Sequence, residues 1–127
     1  MPTSSHVDGK VWTNNQDTHN SLRVDIASGK FEVFGPFKDP ATNKAVNGYG
    51  IPADQENNLY LLDFGGQDIG RVDAKTGKFS VYQTPTPNSR PRRGRFDSQN
   101  RLWFAEYGAN SIGMFDPKTS SFKEWKM

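Results

Sequence analysis

One 24-residue pattern, most complete from Leu102 to Trp125, occurs three times along this 127-residue chain. An apolar residue and an aromatic open each copy (Val11-Trp12, Leu59-Tyr60, Leu102-Trp103), and an aspartate follows 14 positions after the start (Asp25, Asp73, Asp116). A phenylalanine comes six later (Phe31, Phe79, Phe122), and an aromatic closes the copy three beyond it (Phe34, Tyr82, Trp125). The copies start 48 and 43 residues apart, with no gap inside any of them. A strand-like repeat of that period predicts the blade of a β-propeller, a unit that cannot bury its apolar faces alone and stacks on its neighbours.

Each unit reads as four antiparallel strands, A to D. Strand A is a shorter segment ahead of the repeated pattern and ends at an aspartate: Ser4 to Val7 before Asp8-Gly9, Tyr49 to Ala53 before Asp54-Gln55, and Arg92 to Phe96 before Asp97-Ser98. The C–D turns are Asp25-Ile26-Ala27-Ser28-Gly29, Asp73-Ala74-Lys75-Thr76-Gly77 and Asp116-Pro117-Lys118-Thr119-Ser120. There aspartate and Ser/Thr side chains can bond nearby backbone N–H groups, and glycine supplies positive φ. These glycines therefore read as turn residues rather than a phosphate loop, which would open a helix. Proline-rich connections, 35–40 and 83–88, end each strand D, because proline cannot donate to a ladder. Phe37 in the first connection is either packed or an exposed contact. The blades are placed at about 3–34, 46–82 and 90–125.

Closed propellers usually need about 4–8 blades, so three leave two end faces bare, with aromatics on them. The first remedy is association of two copies into a six-bladed homodimeric ring. The other reading is an excerpt of a full propeller gene. Only 33% of the residues are hydrophobic, but 13% are aromatic and recur at constant phase, which makes Trp12, Trp103 and Trp125 core by phase. There is no cysteine, hence no disulfide framework and no thiolate metal site. A net charge of +2, from 16 basic and 14 acidic residues, argues against nucleic acid as partner. No stretch approaches the ~20 apolar residues of a spanning helix, so a soluble chain without a membrane partner is expected.

The phrases Leu102-Trp103-Phe104-Ala105-Glu106, Asn110-Ser111-Ile112-Gly113 and Thr84-Pro85-Thr86-Pro87-Asn88-Ser89-Arg90-Pro91 resemble the repeats of virginiamycin B lyase-like (streptogramin lyase) propellers. The likeness covers most of 46–127 and, more weakly, 3–34. It implies a seven-bladed fold that opens a cyclic depsipeptide by elimination across its ester, with a histidine base and a magnesium ion. Such chemistry needs a base titrating near the working pH and a cation for the developing enolate. At the position where the family carries that histidine, this chain has Arg92, which stays protonated and cannot be a base. The equivalent positions are Thr3 and Tyr49, and Tyr49 in Gly48-Tyr49-Gly50-Ile51 matches a family phrase whose tyrosine lines the pocket. Glu106 matches a repeated family glutamate.

No catalytic or metal-binding residue is expected, and no cofactor unless the lyase reading holds, when magnesium would be required. Ligand sites in propellers gather where strand A begins and strand B ends, at one mouth of the central channel. The repeat places Thr3, Tyr49 and Arg92 there from strand A, and Asn15, Asp63 and Glu106 from strand B, with Arg93 next to Arg92 in the arginine run. The acids and the amide either satisfy loop N–H groups or face a ligand. The arginines of Arg90-Pro91-Arg92-Arg93-Gly94-Arg95 either pair with Asp63 or Glu106 or hold an anionic small molecule, whose carboxylate or phosphate suits the guanidinium fork. His6 in strand A and His19 in the B–C loop have no companion at metal-ligand spacing. The chain is thus expected to be a binding module, with a C–O lyase or related hydrolase acting on a cyclic ester or lactone as the rival.

Overall fold

Three antiparallel sheets follow one another along the chain in the computed structural model, which describes residues 5–127. The first holds β1 (Lys10–Asn15), β2 (Asn20–Asp25) and β3 (Phe31–Phe34). The second holds β4 (Gly48–Gly50), β5 (Leu59–Asp63), β6 (Asp68–Val72) and β7 (Phe79–Gln83). The third holds β8 (Pro91–Phe96), β9 (Leu102–Glu106), β10 (Ser111–Asp116) and β11 (Ser121–Lys126). Within each sheet the strands pair in chain order as a meander. The chain is therefore all-β and propeller-like, and no described helix is long and apolar enough to cross a membrane.

The first unit departs from the four-strand expectation. Ser5–Asp8, which includes His6, forms a single helical turn, α1, where a strand A was expected, so this sheet has three strands. The turn closes with the Gly9 N–H donating to the Ser5 carbonyl at 2.6 Å, and the positive φ of Gly9 then releases the chain into β1. Thr3 lies outside the described residues.

The aspartate turns form as their chemistry requires. Asp25 Oδ1 accepts from Ala27 and Ser28 N–H (both 3.0 Å), and Asp73 Oδ1 accepts from Lys75 and Thr76 N–H (both 2.9 Å). Asp54 and Asp97 cap the A–B turns in the same way, each accepting from the N–H groups two and four residues on.

Strand alternation gives every sheet two faces, and the same pair of faces meets at both junctions. Trp12 and Phe34 from one face of the first sheet pack on Leu59, Leu61, Val72 and Phe79 of the second. Tyr60, Leu62, Ile69 and Tyr82, on the opposite face of the second sheet, pack on Leu102, Phe104, Phe115 and Phe122 of the third. Phe37 is packed: it is buried at the first junction and stacked on Phe79 at 4.6 Å. Each junction is also hydrogen-bonded across units, by Trp12 Nε1 to the Asn57 carbonyl (2.9 Å) and by Gln55 N–H to Asn100 Oδ1 (2.9 Å).

Phase predicts burial correctly for Trp12 and fails for the other two tryptophans. Trp103 is half-buried and Trp125 is 46% exposed. Both stand on the outer face of the third sheet, stacked on each other at 5.5 Å, where no further sheet among the described residues covers them. Trp103 is held from below by Asp97, whose Oδ2 accepts its Nε1 proton at 2.8 Å.

Candidate functional site

The second and third sheets meet at β8, which lies against both β4 and β5. A Cβ on Gly50 would stand 2.6 Å from the Arg92 carbonyl oxygen and 3.2 Å from the Arg93 Cα, so a bare backbone at Gly50 is what permits this approach. Gly50→Ala is accordingly expected to push β4 from β8 and cost about 1–3 kcal/mol. Urea unfolding of the two proteins measures it, and an unchanged midpoint would contradict the close approach.

This contact sets Tyr49 beside the arginines of β8. Arg92 Nη2 donates to Tyr49 Oη at 3.4 Å, with the guanidinium 5.2 Å from the tyrosine ring centroid. Arg93 lies 5.7 Å from the same ring. Behind them Phe64 forms the floor, 5.3 Å from Tyr49 and 5.5 Å from Tyr107. Arg90 lies over Phe64 at 4.4 Å, and its Nε donates to the Phe64 carbonyl at 3.0 Å. Next to this cluster a cleft of about 420 Å³ runs along the strands, lined by Tyr49 to Ala53 and Arg93 to Phe96.

The ring faces attract the guanidiniums through their quadrupoles without neutralising them. Among the described residues no carboxylate lies within salt-bridge distance of Arg90, Arg92 or Arg93; the ion pairs that form are Arg23–Glu32, Arg71–Asp73 and Arg101–Asp97. Pairing of Arg92 or Arg93 with Asp63 or Glu106 is therefore corrected. Arg92 Nε is a buried donor with no acceptor. Hydrogen bonds from Arg92 and Arg93 pull the Tyr49 phenol below its ordinary pKa. Since Tyr49 Oη accepts from Arg92, its own proton remains free to be donated.

The other three sequence candidates stay apart from this cluster. Asn15 is exposed and caps its own turn, Oδ1 accepting from Asp17 N–H at 2.9 Å. Asp63 is buried, and its Oδ1 accepts from the N–H groups of Asn47 and Gly65 (both 3.2 Å), as a loop-satisfying carboxylate would. Glu106 points into the junction of the second and third sheets; it is 1% exposed, and neither carboxyl oxygen has a hydrogen-bond partner. Burial, and then the neighbouring Glu124, push its pKa up to about 8.

Sequence reasoning missed Phe64 and Tyr107, and named Arg90 only as part of the arginine run. A signal was present: Phe64 and Tyr107 are equivalent positions, each directly after the acid that ends strand B, with Gln16 in the first unit. A divalent cation of the kind the family resemblance implies does not fit this donor set, because three guanidiniums crowd the mouth and the nearest carboxyls are occupied by loop amides or protonated.

Three antiparallel meanders packed face to face in succession put the chain in the β-propeller class. No protein-family model matches it, and no curated protein matches it by sequence. Among solved structures it is similar to virginiamycin B lyase from Staphylococcus aureus, with TM-score 0.77 and 27% identity over 94% of this chain. It is also similar to a streptogramin B lyase, with TM-score 0.76 and 28% identity over 95% of this chain. A chain of the nidogen–laminin complex has TM-score 0.69 at 14% identity over 95% of this chain and 44% of its own length, a likeness of fold alone. The chain is thus related to the virginiamycin B lyase-like propellers, and it spans 38% of the length of both lyase chains.

Proposed function

We propose that this chain is a propeller binding module that holds an anionic small molecule at the Tyr49–Arg92–Arg93 mouth, in a ring completed by a second copy. The observation that carries this is a set of three guanidiniums stacked on aromatic rings with no carboxylate paired to them. A carboxylate or phosphate group in the cleft would accept from the exposed Arg93 guanidinium and take the free Tyr49 hydroxyl proton in charge-assisted hydrogen bonds, with Arg92 adding its charge from behind. The cleft beside them has room for the rest of a small ligand. The lyase role has less support, because Arg92 occupies the position of the family's base and Glu106 faces a sheet junction instead of the cleft.

The test is thermal unfolding in the presence of inorganic phosphate or succinate. A ligand at a hundred times its Kd stabilises by about 2.7 kcal/mol, which moves the melting temperature by several degrees. Arg92→Met with Arg93→Met is expected to abolish that shift while leaving ligand-free melting nearly unchanged. Equal shifts in the wild type and the double variant would refute the site, and turnover of a cyclic depsipeptide ester would favour the lyase role instead.

A further inference from the structure

Both junctions inside the chain are built from equivalent residues. One face, written Trp12 and Phe34 in the first unit and Tyr60 and Tyr82 in the second, always packs on the opposite face of the next unit. That opposite face is written Leu59, Leu61, Val72 and Phe79 in the second unit and Leu102, Phe104, Phe115 and Phe122 in the third. Two faces are left over. The third unit ends on the first kind, as Trp103 and Trp125, with Ile112 opposite Trp125 in the register. The first unit begins with the second kind, as Val11, Leu22, Val24, Phe31 and Val33, whose members pair across β1, β2 and β3.

The leftover faces are apolar and open: Phe31 is 62% and Val33 56% exposed, and Ile112 is 41% exposed beside Trp125. Exposed apolar sheet faces of this extent mark interaction surfaces. Each has the composition of a face that, one unit along, already packs on the other kind. By that repeat equivalence, the place of the Tyr82–Phe115 contact at 4.8 Å would be taken by Trp125 against Val24 of another copy.

We infer that the Val11–Val24–Phe31–Val33 face of one chain seats on the Trp103–Ile112–Trp125 face of a second copy, head to tail. This pairing rests on the two-copy ring proposed above and specifies its contacts. Two such contacts related by a two-fold axis close a ring, whereas a two-fold contact between like faces would close a dimer but leave the other pair bare.

Because the contact joins unlike faces, it can be tested by complementation. Val33→Arg blocks one face and Trp125→Arg the other, both at exposed positions, and circular dichroism checks that each variant keeps its sheet signal. Wild type is expected at twice the 14.3 kDa chain mass by analytical ultracentrifugation. Each variant alone should run as a single chain, since every contact would need its blocked face. An equimolar mixture should regain a two-chain species, because the intact face of each variant fits the intact face of the other. A monomeric wild type overturns both the two-copy ring and the pairing. A dimer that survives either single variant, or variants that do not recover on mixing, overturns the head-to-tail pairing alone.

Discussion

Trp12→Ala is expected to destabilise the first sheet by about 3–5 kcal/mol and to release it from the rest of the chain. Trp12 is the largest side chain that the first sheet sends into its junction, and it is 2% exposed. Its removal opens a cavity among Phe34, Leu59, Leu61 and Val72 and leaves the buried Asn57 carbonyl without its donor. The Arg23 guanidinium, 5.1 Å from the indole, loses its platform as well. Units in a repeat array contact only their neighbours, so the loss is local. Hydrogen exchange should therefore show the amides of β1, β2 and β3 unprotected while β5, β6, β9 and β10 keep most of their protection. Uniform loss across all three sheets would show that the chain folds as one cooperative block, and unchanged exchange would contradict the packing. The equivalent change Trp103→Ala should cost a separate chain far less, because among the described residues the faces of that half-exposed ring meet only Trp125 and Arg101 and no neighbouring sheet, and its main effect should fall on association.

That contrast shows what was legible in the sequence. Trp12, Tyr60 and Trp103 occupy one phase of one repeat, and phase alone assigns all three to a core. Whether a residue at that phase is buried depends on whether a further sheet follows, and a local pattern carries no information on that. Repeat, turn chemistry and strand order were legible because each is a local matter of alternation and of aspartate and glycine placement. The strand A expected at Ser4 to Val7 was not, and Ser5–Asp8 satisfies its backbone in a helical turn instead. For the candidate site, the A-start rule named Thr3, Tyr49 and Arg92, and the arginine run added Arg93. Their aromatic floor was missed because Phe64 and Tyr107 lie outside the repeated 24-residue pattern's invariant positions, although their equivalence was open to alignment. Asp63 and Glu106 share a position yet differ in role, since Asp63 meets the loop amides of Asn47 and Gly65 while Glu106 meets Glu124.

Raising the pH from about 5 to about 8 is expected to weaken the fold, with Glu106 as the main cause. An ordinary glutamate in the unfolded chain titrates at 4.5, whereas burial and the adjacent Glu124 hold Glu106 protonated up to about 8. Between these values the native state binds the extra proton, so its stability is complete below 4.5 and declines as the pH rises towards 8. Each pH unit crossed in that window removes stability on the order of 1 kcal/mol, and the full span amounts to a few kcal/mol. Asp68, buried beside Asp39 and raised to about 7, adds a decline of the same sign that begins near 3.8. Asp97, lowered to about 2 with its carboxylate accepting hydrogen bonds from Trp103 and Arg101, acts oppositely, but only below pH 4, outside this window. Glu106→Gln substitutes a neutral side chain of nearly the same shape for the protonated acid. Its stability at pH 5 should match the wild type, and at pH 8 it should exceed the wild type by a few kcal/mol, as read from urea midpoints at the two pH values. A variant destabilised equally at both would show that the ionised carboxylate, instead of burdening the junction, is bound by donors that hold it in place.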